Sequence, residues 1–248
     1  MQEQRVALVT GGMGGLGTAI CRCLHDAGFK VAATYSPHNS SPEGWLGAER
    51  DEGYRFKAYK VDVANYADAE WMMQRMLADH GRLDVLVNNA GVTRDRSLAK
   101  MTLEDWNTVM RTNLDCVFNM SKQAVEVMMA QQWGRIINIS SVNGQKGAFG
   151  QTNYAASKAG MHGFTKAAAL ELARHGITVN TVSPGYLRTK MVMQVPDEIM
   201  QTKILPQIPV GRLGEPAEVA ALVRYLSSED AAFVTGANIA INGGQHMC

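Results

Sequence analysis

A chain of 248 residues is longer than the commonest domain, but an α/β fold of this size forms one domain around one large core, so a single domain over 1–248 is expected. Hydrophobic residues at 46% and charged residues at 19% fit a compact fold, and a net charge of +1 gives no global reason to expect nucleic-acid or membrane partners. The four cysteines, Cys21, Cys23, Cys116 and Cys248, form no C-x-x-C pair and no apolar run approaches ~18 residues, so free thiols in a cytoplasmic protein are expected.

Residues 5–9, RVALV, are apolar without alternation, the pattern of a strand buried on both faces of a parallel sheet. The next stretch, TGGMGGLG from Thr10 to Gly17, opens a helix that runs through Ile20 and Leu24 to a Gly28 cap. Glycines there let the chain turn tightly and bring backbone N–H groups to a pyrophosphate at the positive end of the helix. Gly11, Met13, Gly14, Gly15, Leu16 and Gly17 are therefore candidate dinucleotide contacts.

The second strand, KVAAT at 30–34, ends in YSPHNSS, where a carboxylate would repel a 2′-phosphate and a basic residue would favour it. Neither is present. Hydroxyls, an amide and His38 remain, with Ser36 and Ser41 as candidate contacts, so both dinucleotides are expected to serve, NADPH weakly ahead of NADH.

A polar helix at 42–52 and a strand at 55–61 lead to Asp62 and Val63. Asp62 reads either as an acceptor for the adenine amino group or as the N-cap of the next helix. That helix, 65–80, carries Met72, Met73 and Met76 as core filler. A strand at 83–87 then ends in Asn88, Asn89, Ala90, Gly91 and Val92 at the carboxyl edge, where open α/β sheets bind ligands and where small side chains leave room for a ring or ribose. Asn113 falls inside a helical stretch expected from Thr102 to Gln131, a locally unfavourable place for an amide. It is either a satisfied core residue or a holder of water.

The strand at 135–139 runs into SVNGQKGAFGQTNYAASK, which sets Ser141, Tyr154 and Lys158 at the spacing S-x12-Y-x3-K. Tyr154 and Lys158 share one face of a helix expected over 153–171, within reach of Ser141 at the strand end. A phenol beside an ammonium is a tunable proton donor, although the same residues also suit an ordinary helix surface. A strand at 177–182 leads to SPGYLRT, with a sharp turn at Pro184 and Gly185, and residues 191–209 carry an amphipathic pattern with Met191, Met193, Met200, Ile204 and Leu205 that suits a lid. A helix at 215–226 and a strand at 238–241 close the chain, giving seven candidate strands and a doubly wound parallel α/β sheet with no metal site expected.

With TGGMGGLG, NNAG, Asn113, the Ser-Tyr-Lys triplet and PGYLRT in order, the chain resembles the classical short-chain dehydrogenases/reductases over nearly its whole length. NGQKGAFGQTNYAASKAG, VTRDRSLAKMT and INGGQHM are most similar to the acetoacetyl-CoA reductases of polyhydroxybutyrate synthesis, with the 3-oxoacyl-[acyl-carrier-protein] reductases as nearest rivals. The resemblance implies a seven-stranded Rossmann fold, a homotetramer and acetoacetyl-CoA as substrate. By the same resemblance Tyr154 donates the proton, Ser141 bonds the ketone oxygen, Lys158 binds the nicotinamide ribose and lowers the Tyr154 pKa, and Asn113 places a water. Asp95, Lys100, Phe149, Gln151, Gly185 and Tyr186 would line the substrate path, with Phe149 alternatively core and Lys100 a solvated charge. Ser41 and Pro42 stand where the family tends to carry arginine, and Ala148 where a Gln is often found. Arg94, Arg96, Lys100, Arg188 and Lys190 would meet either the phosphates of CoA or an acidic carrier domain. A catalytically silent dinucleotide sensor is the different-class alternative.

Overall fold

The structure is a computed structural model that describes residues 4–189 and 192–247; Lys190, Met191 and Cys248, named above, lie outside the described residues. Its strands are β1 (Val6–Val9), β2 (Lys30–Tyr35), β3 (Phe56–Lys60), β4 (Val85–Asn88), β5 (Gly134–Ile139), β6 (Ile177–Pro184) and β7 (Asn238–Ile241). All pair in parallel in the order β3-β2-β1-β4-β5-β6-β7. The order reverses at β1 and β4, so the loops leaving their carboxyl ends part to opposite sides and open a crevice there. The seven strands expected from the sequence are the seven observed.

The helices are α1 (Gly15–Asp26), α2 (Pro42–Asp51), α3 (Tyr66–His80), α4 (Leu103–Met110), α5 (Cys116–Gln131), α6 (Asn143–Lys146), α7 (Thr152–Leu172), α8 (Asp197–Ile199) and α9 (Pro216–Leu226). Alternation along β1 divides them into two layers. Ala7 and Val9 pack with Ile20 and Leu24 of α1 and Val219 and Val223 of α9, whereas Val6 and Leu8 pack with the layer of α3, α5 and α7. Met72, Met73 and Met76 are buried in that second layer, as their spacing implied. Cys21 and Cys116 are buried and Cys23 half-buried, all three as free thiols.

Two local readings need correction. The stretch Thr102–Gln131 is not one α-helix: a capping box at Thr102 starts α4, a π-turn occupies Arg111–Asp115, and α5 follows. The wider turn admits an extra residue and sets Asn113 inward, where it is fully buried. Asp62 does not cap α3 either. Asn65 is the N-cap, accepting from Asp68 N–H, while the Asp62 carboxylate accepts from Ala64 N–H at 3.0 Å.

Candidate active site

The glycine-rich turn connects β1 to α1 at the crevice. Gly14 is the N-cap of α1 with no side-chain cap, and no acid stands in the first turn, so the positive end of the helix keeps N–H groups for an anion. A Cβ on Gly17 would lie 2.3 Å from the Gly11 carbonyl oxygen, so no larger residue fits where helix and turn meet. Gly11, Met13, Gly14, Gly15, Leu16 and Gly17 line a cleft together with Asn89, Ala90 and Gly91. These residues fit the diphosphate of a nicotinamide dinucleotide.

Other expected dinucleotide contacts lie off that lining. Ser36 and Ser41 are exposed beside it, and their loop touches the glycine turn through Asn39, whose Nδ2 meets Met13 Sδ at 3.3 Å. Asp62 is exposed and Val63 buried, with the Val63 carbonyl accepting from Asn119 Nδ2, and neither lines either cleft. Thr10 is a residue that the sequence reading passed over. Its hydroxyl oxygen accepts from Asn89 N–H at 2.9 Å and Ala90 N–H at 3.0 Å, while Asn89 Nδ2 donates to the Thr10 and Gly11 carbonyls. These bonds join the carboxyl ends of β1 and β4 and hold the crevice at a fixed width. Trp45 and the ion pair of Arg22 with Glu49 at 2.7 Å also line the cleft, and nothing in their local sequence marks them.

A second cleft adjoins the first and brings together Ser141, Tyr154 and Lys158 with Gly91, Val92, Pro184, Gly185 and Tyr186. The triplet expected from spacing alone therefore converges. Lys158 is buried, and its Nζ donates to the Ile139 carbonyl at 2.7 Å and lies 5.6 Å from the centre of the Tyr154 ring. Burial lowers the Lys158 pKa to about 8. The Tyr154 phenol shifts upward, chiefly by desolvation, with the Asp95 carboxylate adding to the rise and a hydrogen bond from Ser141 opposing it. The direction of the shift is set by desolvation, and the lowering by Lys158 that the resemblance implies is no part of it.

Asn113 lies beneath the cleft. Its Oδ1 accepts from Val92 N–H at 2.8 Å, and its Nδ2 donates to the Val92 carbonyl at 3.0 Å and to Ser157 Oγ at 3.2 Å. The amide holds backbone at the end of the NNAG loop, as the satisfied-core reading expects. Gly91 leaves room for it, since a Cβ there would come within 3.3 Å of Asn113 Oδ1.

Of the residues expected along the substrate path, Gln151, Gly185 and Tyr186 line the second cleft. Gln151 Nε2 donates to Asp95 Oδ2 at 2.8 Å and its Oε1 accepts from Asn143 Nδ2 at 2.9 Å, so Asp95 is tied to the rim. Asn143, which was not singled out, also donates its N–H to Ser141 Oγ at 3.1 Å. Lys100, Ala148 and Phe149 lie off the lining. Phe149 is 95% exposed, which overturns its core reading, and Lys100 is a solvated charge on a short turn. Arg188 pairs with Glu215 at 2.7 Å, which partly neutralises it as an anion site. In the expected lid, short helical turns from Val192 to Gln207 bury Met200 and Ile204 against Ile208, Leu213 and Tyr186, while Met193 is exposed. Among the described residues, no helix is long and apolar enough to cross a membrane.

A family model described as short chain dehydrogenase matches residues 5–199. The chain is 50% identical over 244 residues to an acetoacetyl-CoA reductase of Cupriavidus necator, covering 98% of this chain and 99% of the relative. It is 51% identical over 243 residues to an acetoacetyl-CoA reductase of Rhizobium meliloti, covering 98% and 99%. It is also 43% identical over 247 residues to a 3-oxoacyl-[acyl-carrier-protein] reductase of Vibrio cholerae, covering 99% and 98%.

Proposed function

We propose that this chain, which belongs to the short-chain dehydrogenase family, is an NAD(P)H-dependent acetoacetyl-CoA reductase that yields (R)-3-hydroxybutanoyl-CoA. The observation that carries the reading is the convergence of Ser141, Tyr154 and Lys158 on one cleft beside an uncapped, glycine-lined helix terminus. The near-full-length relatives named for that activity support the choice of substrate.

A reduced nicotinamide dinucleotide supplies the hydride when bound, with its diphosphate held by the Gly11–Gly17 turn and its ribose by Lys158. The chain's own part is proton chemistry. A phenol whose pKa is raised stays protonated at neutral pH, which is the state a proton donor to the ketone oxygen needs. Ser141 donates a hydrogen bond to the same oxygen and stabilises the charge that develops there. Lys158, while protonated, offsets the charge left on the Tyr154 oxygen.

NADPH is weakly preferred, because no acid at the end of β2 repels a 2′-phosphate and no arginine grips it. The protein acts as a cytoplasmic homotetramer; exposed apolar side chains such as Phe118, Leu170 and Phe233 are surface that association would cover. The test is steady-state kinetics with acetoacetyl-CoA and with acetoacetyl carrier protein, each with NADPH and NADH. A kcat/KM at least about tenfold higher for the CoA thioester is expected, a difference of ~1.4 kcal/mol. A preference for the carrier protein would transfer the assignment to the 3-oxoacyl-[acyl-carrier-protein] reductases.

A further inference from the structure

His162 lies on α7 four residues beyond Lys158, so Tyr154, Lys158 and His162 follow one another along the same side of the helix. Its Nε2 is 3.0 Å from Ser140 Oγ and 3.5 Å from Ser183 Oγ. Each serine hydroxyl has one hydrogen to give. Ser140 donates its hydrogen to the Lys158 carbonyl at 2.9 Å, and Ser183 donates its hydrogen to Asn238 Oδ1 at 2.7 Å. Towards the imidazole both oxygens are then acceptors, and all four contacts are satisfied together when the ring proton sits on Nε2. With the proton on Nδ1, Ser140 would have to turn away from the Lys158 carbonyl, and Ser183 would face a lone pair.

The two serines sit directly before groups of the site. Ser140 precedes Ser141 and is fixed to β6 through its N–H on the Val182 carbonyl at 2.8 Å. Ser183 precedes Pro184 and Gly185, which line the cleft. One imidazole therefore joins the ends of β5 and β6 to the backbone of the helix that carries Tyr154 and Lys158. We propose that His162, as its Nε2–H tautomer, is a positioning residue for the reduction: it orients Ser140 towards the Lys158 carbonyl and so holds the Ser141 turn in register with the Tyr154 and Lys158 face. Burial, with Lys166 nearby, lowers the His162 pKa and keeps the ring neutral.

The inference rests on the reductase reading for its kinetic consequence, and its structural part is tested without substrate. In the wild-type protein with ¹⁵N-labelled histidine, long-range ¹H–¹⁵N correlation spectra report the tautomer of each ring, and loss of one signal set in His162→Gln assigns His162 among the six histidines. The Nε2–H pattern is expected at pH 7; an Nδ1–H pattern would overturn the proposal. In the kinetic arm His162→Leu is expected to lower kcat about tenfold or more with KM changed less than about twofold, while His162→Gln, which can present an N–H at the Nε2 position, stays within about threefold of wild type. His162→Leu combined with Ser140→Ala should fall no further than the worse single variant, because both break one chain of contacts. Wild-type kcat in a folded His162→Leu, or equal loss in the Leu and Gln variants, would also overturn it. Absence of turnover in wild type and variants alike counts against the reductase reading instead, and should a variant not fold, the wild-type tautomer decides.

Discussion

Lys158 donates from a buried ammonium to the carbonyl of Ile139 at 2.7 Å, which ties the helix bearing Tyr154 to the last residue of β5. This bond fixes the cation but does not repay its full desolvation, and its pKa falls from 10.5 to about 8. Between those two values the unfolded chain binds more protons than the folded one. Lys158 therefore costs stability below about pH 8, and the cost is relieved as pH rises towards 10.5. Activity should run the other way, since the ammonium is lost through the same range. Relative to Lys158→Met, wild-type Tm is expected to gain from pH 8 to 10.5 while wild-type kcat/KM falls. Melting curves and rates across that range check it, and a wild-type Tm that drops against the variant would contradict the assignment. At pH 7 the same variant should lose both turnover and dinucleotide affinity.

Tyr154→Phe removes the proton donor and little else. We expect kcat to fall by roughly 10² to 10⁴ with the dinucleotide Kd nearly unchanged. Fluorescence titration of the dinucleotide beside steady-state rates separates the two. Activity within a few-fold of wild type would remove Tyr154 from its assigned role.

Asn113→Leu strips both partners from the Val92 backbone inside a fully buried site. An unpaired buried backbone group costs about 1 to 3 kcal/mol, and about 1 kcal/mol shifts the Tm of a chain of this size by ~2 to 4 °C. Tm should therefore fall by about 5 °C or more, together with turnover. If Asn113 merely held a water, turnover would fall while the melting curve stayed in place.

Dinucleotide choice turns on the loop after β2, which Asn39 anchors to Met13. Hydrogen bonds from neutral groups to a charged oxygen are worth about 1.5 to 3 kcal/mol, enough for a moderate NADPH preference. Ser41→Arg should sharpen it through a charge-assisted contact, and Ser36→Asp should reverse it. The measurement is kcat/KM with each dinucleotide in wild type and both variants; a wild-type enzyme confined to NADH would refute the prediction.

At the opposite end of the sheet the Trp133 ring meets two guanidinium groups, Arg5 at 3.8 Å and Arg135 at 4.2 Å from its centre, and Glu229 accepts from Arg5 and Trp133 and forms an ion pair with Arg135 at 3.6 Å. Arg135 is buried and Glu229 largely exposed. Glu229→Ala should cost roughly 2 kcal/mol, between the values for exposed and buried pairs, and lower Tm by about 4 to 8 °C. Because this knot is remote from the cleft, kcat at 25 °C should stay within about twofold of wild type. A larger kinetic effect would mean that the two ends of the sheet are coupled.

Local sequence determined the strands and the chemistry of the triplet. RVALV and its counterparts announce themselves because a strand buried on both faces is largely apolar, and the S-x12-Y-x3-K spacing follows from a strand end meeting a helix face on which residues four apart lie one above the other. Contacts between segments far apart in the chain were not legible. Thr10 bonds Asn89 and Ala90 across 79 and 80 positions, and a threonine beside a glycine run carries no sign of that duty. The π-turn at Asn113 was hidden for the same reason: helical periodicity is blind to one inserted residue, and what sustains it is the Val92 backbone 21 positions earlier. Phe149 and Lys158 mark the two directions in which exposure escapes sequence. A phenylalanine stands 95% exposed on its loop, and a lysine is buried because the tertiary structure supplies a carbonyl for its ammonium and sets its pKa by desolvation.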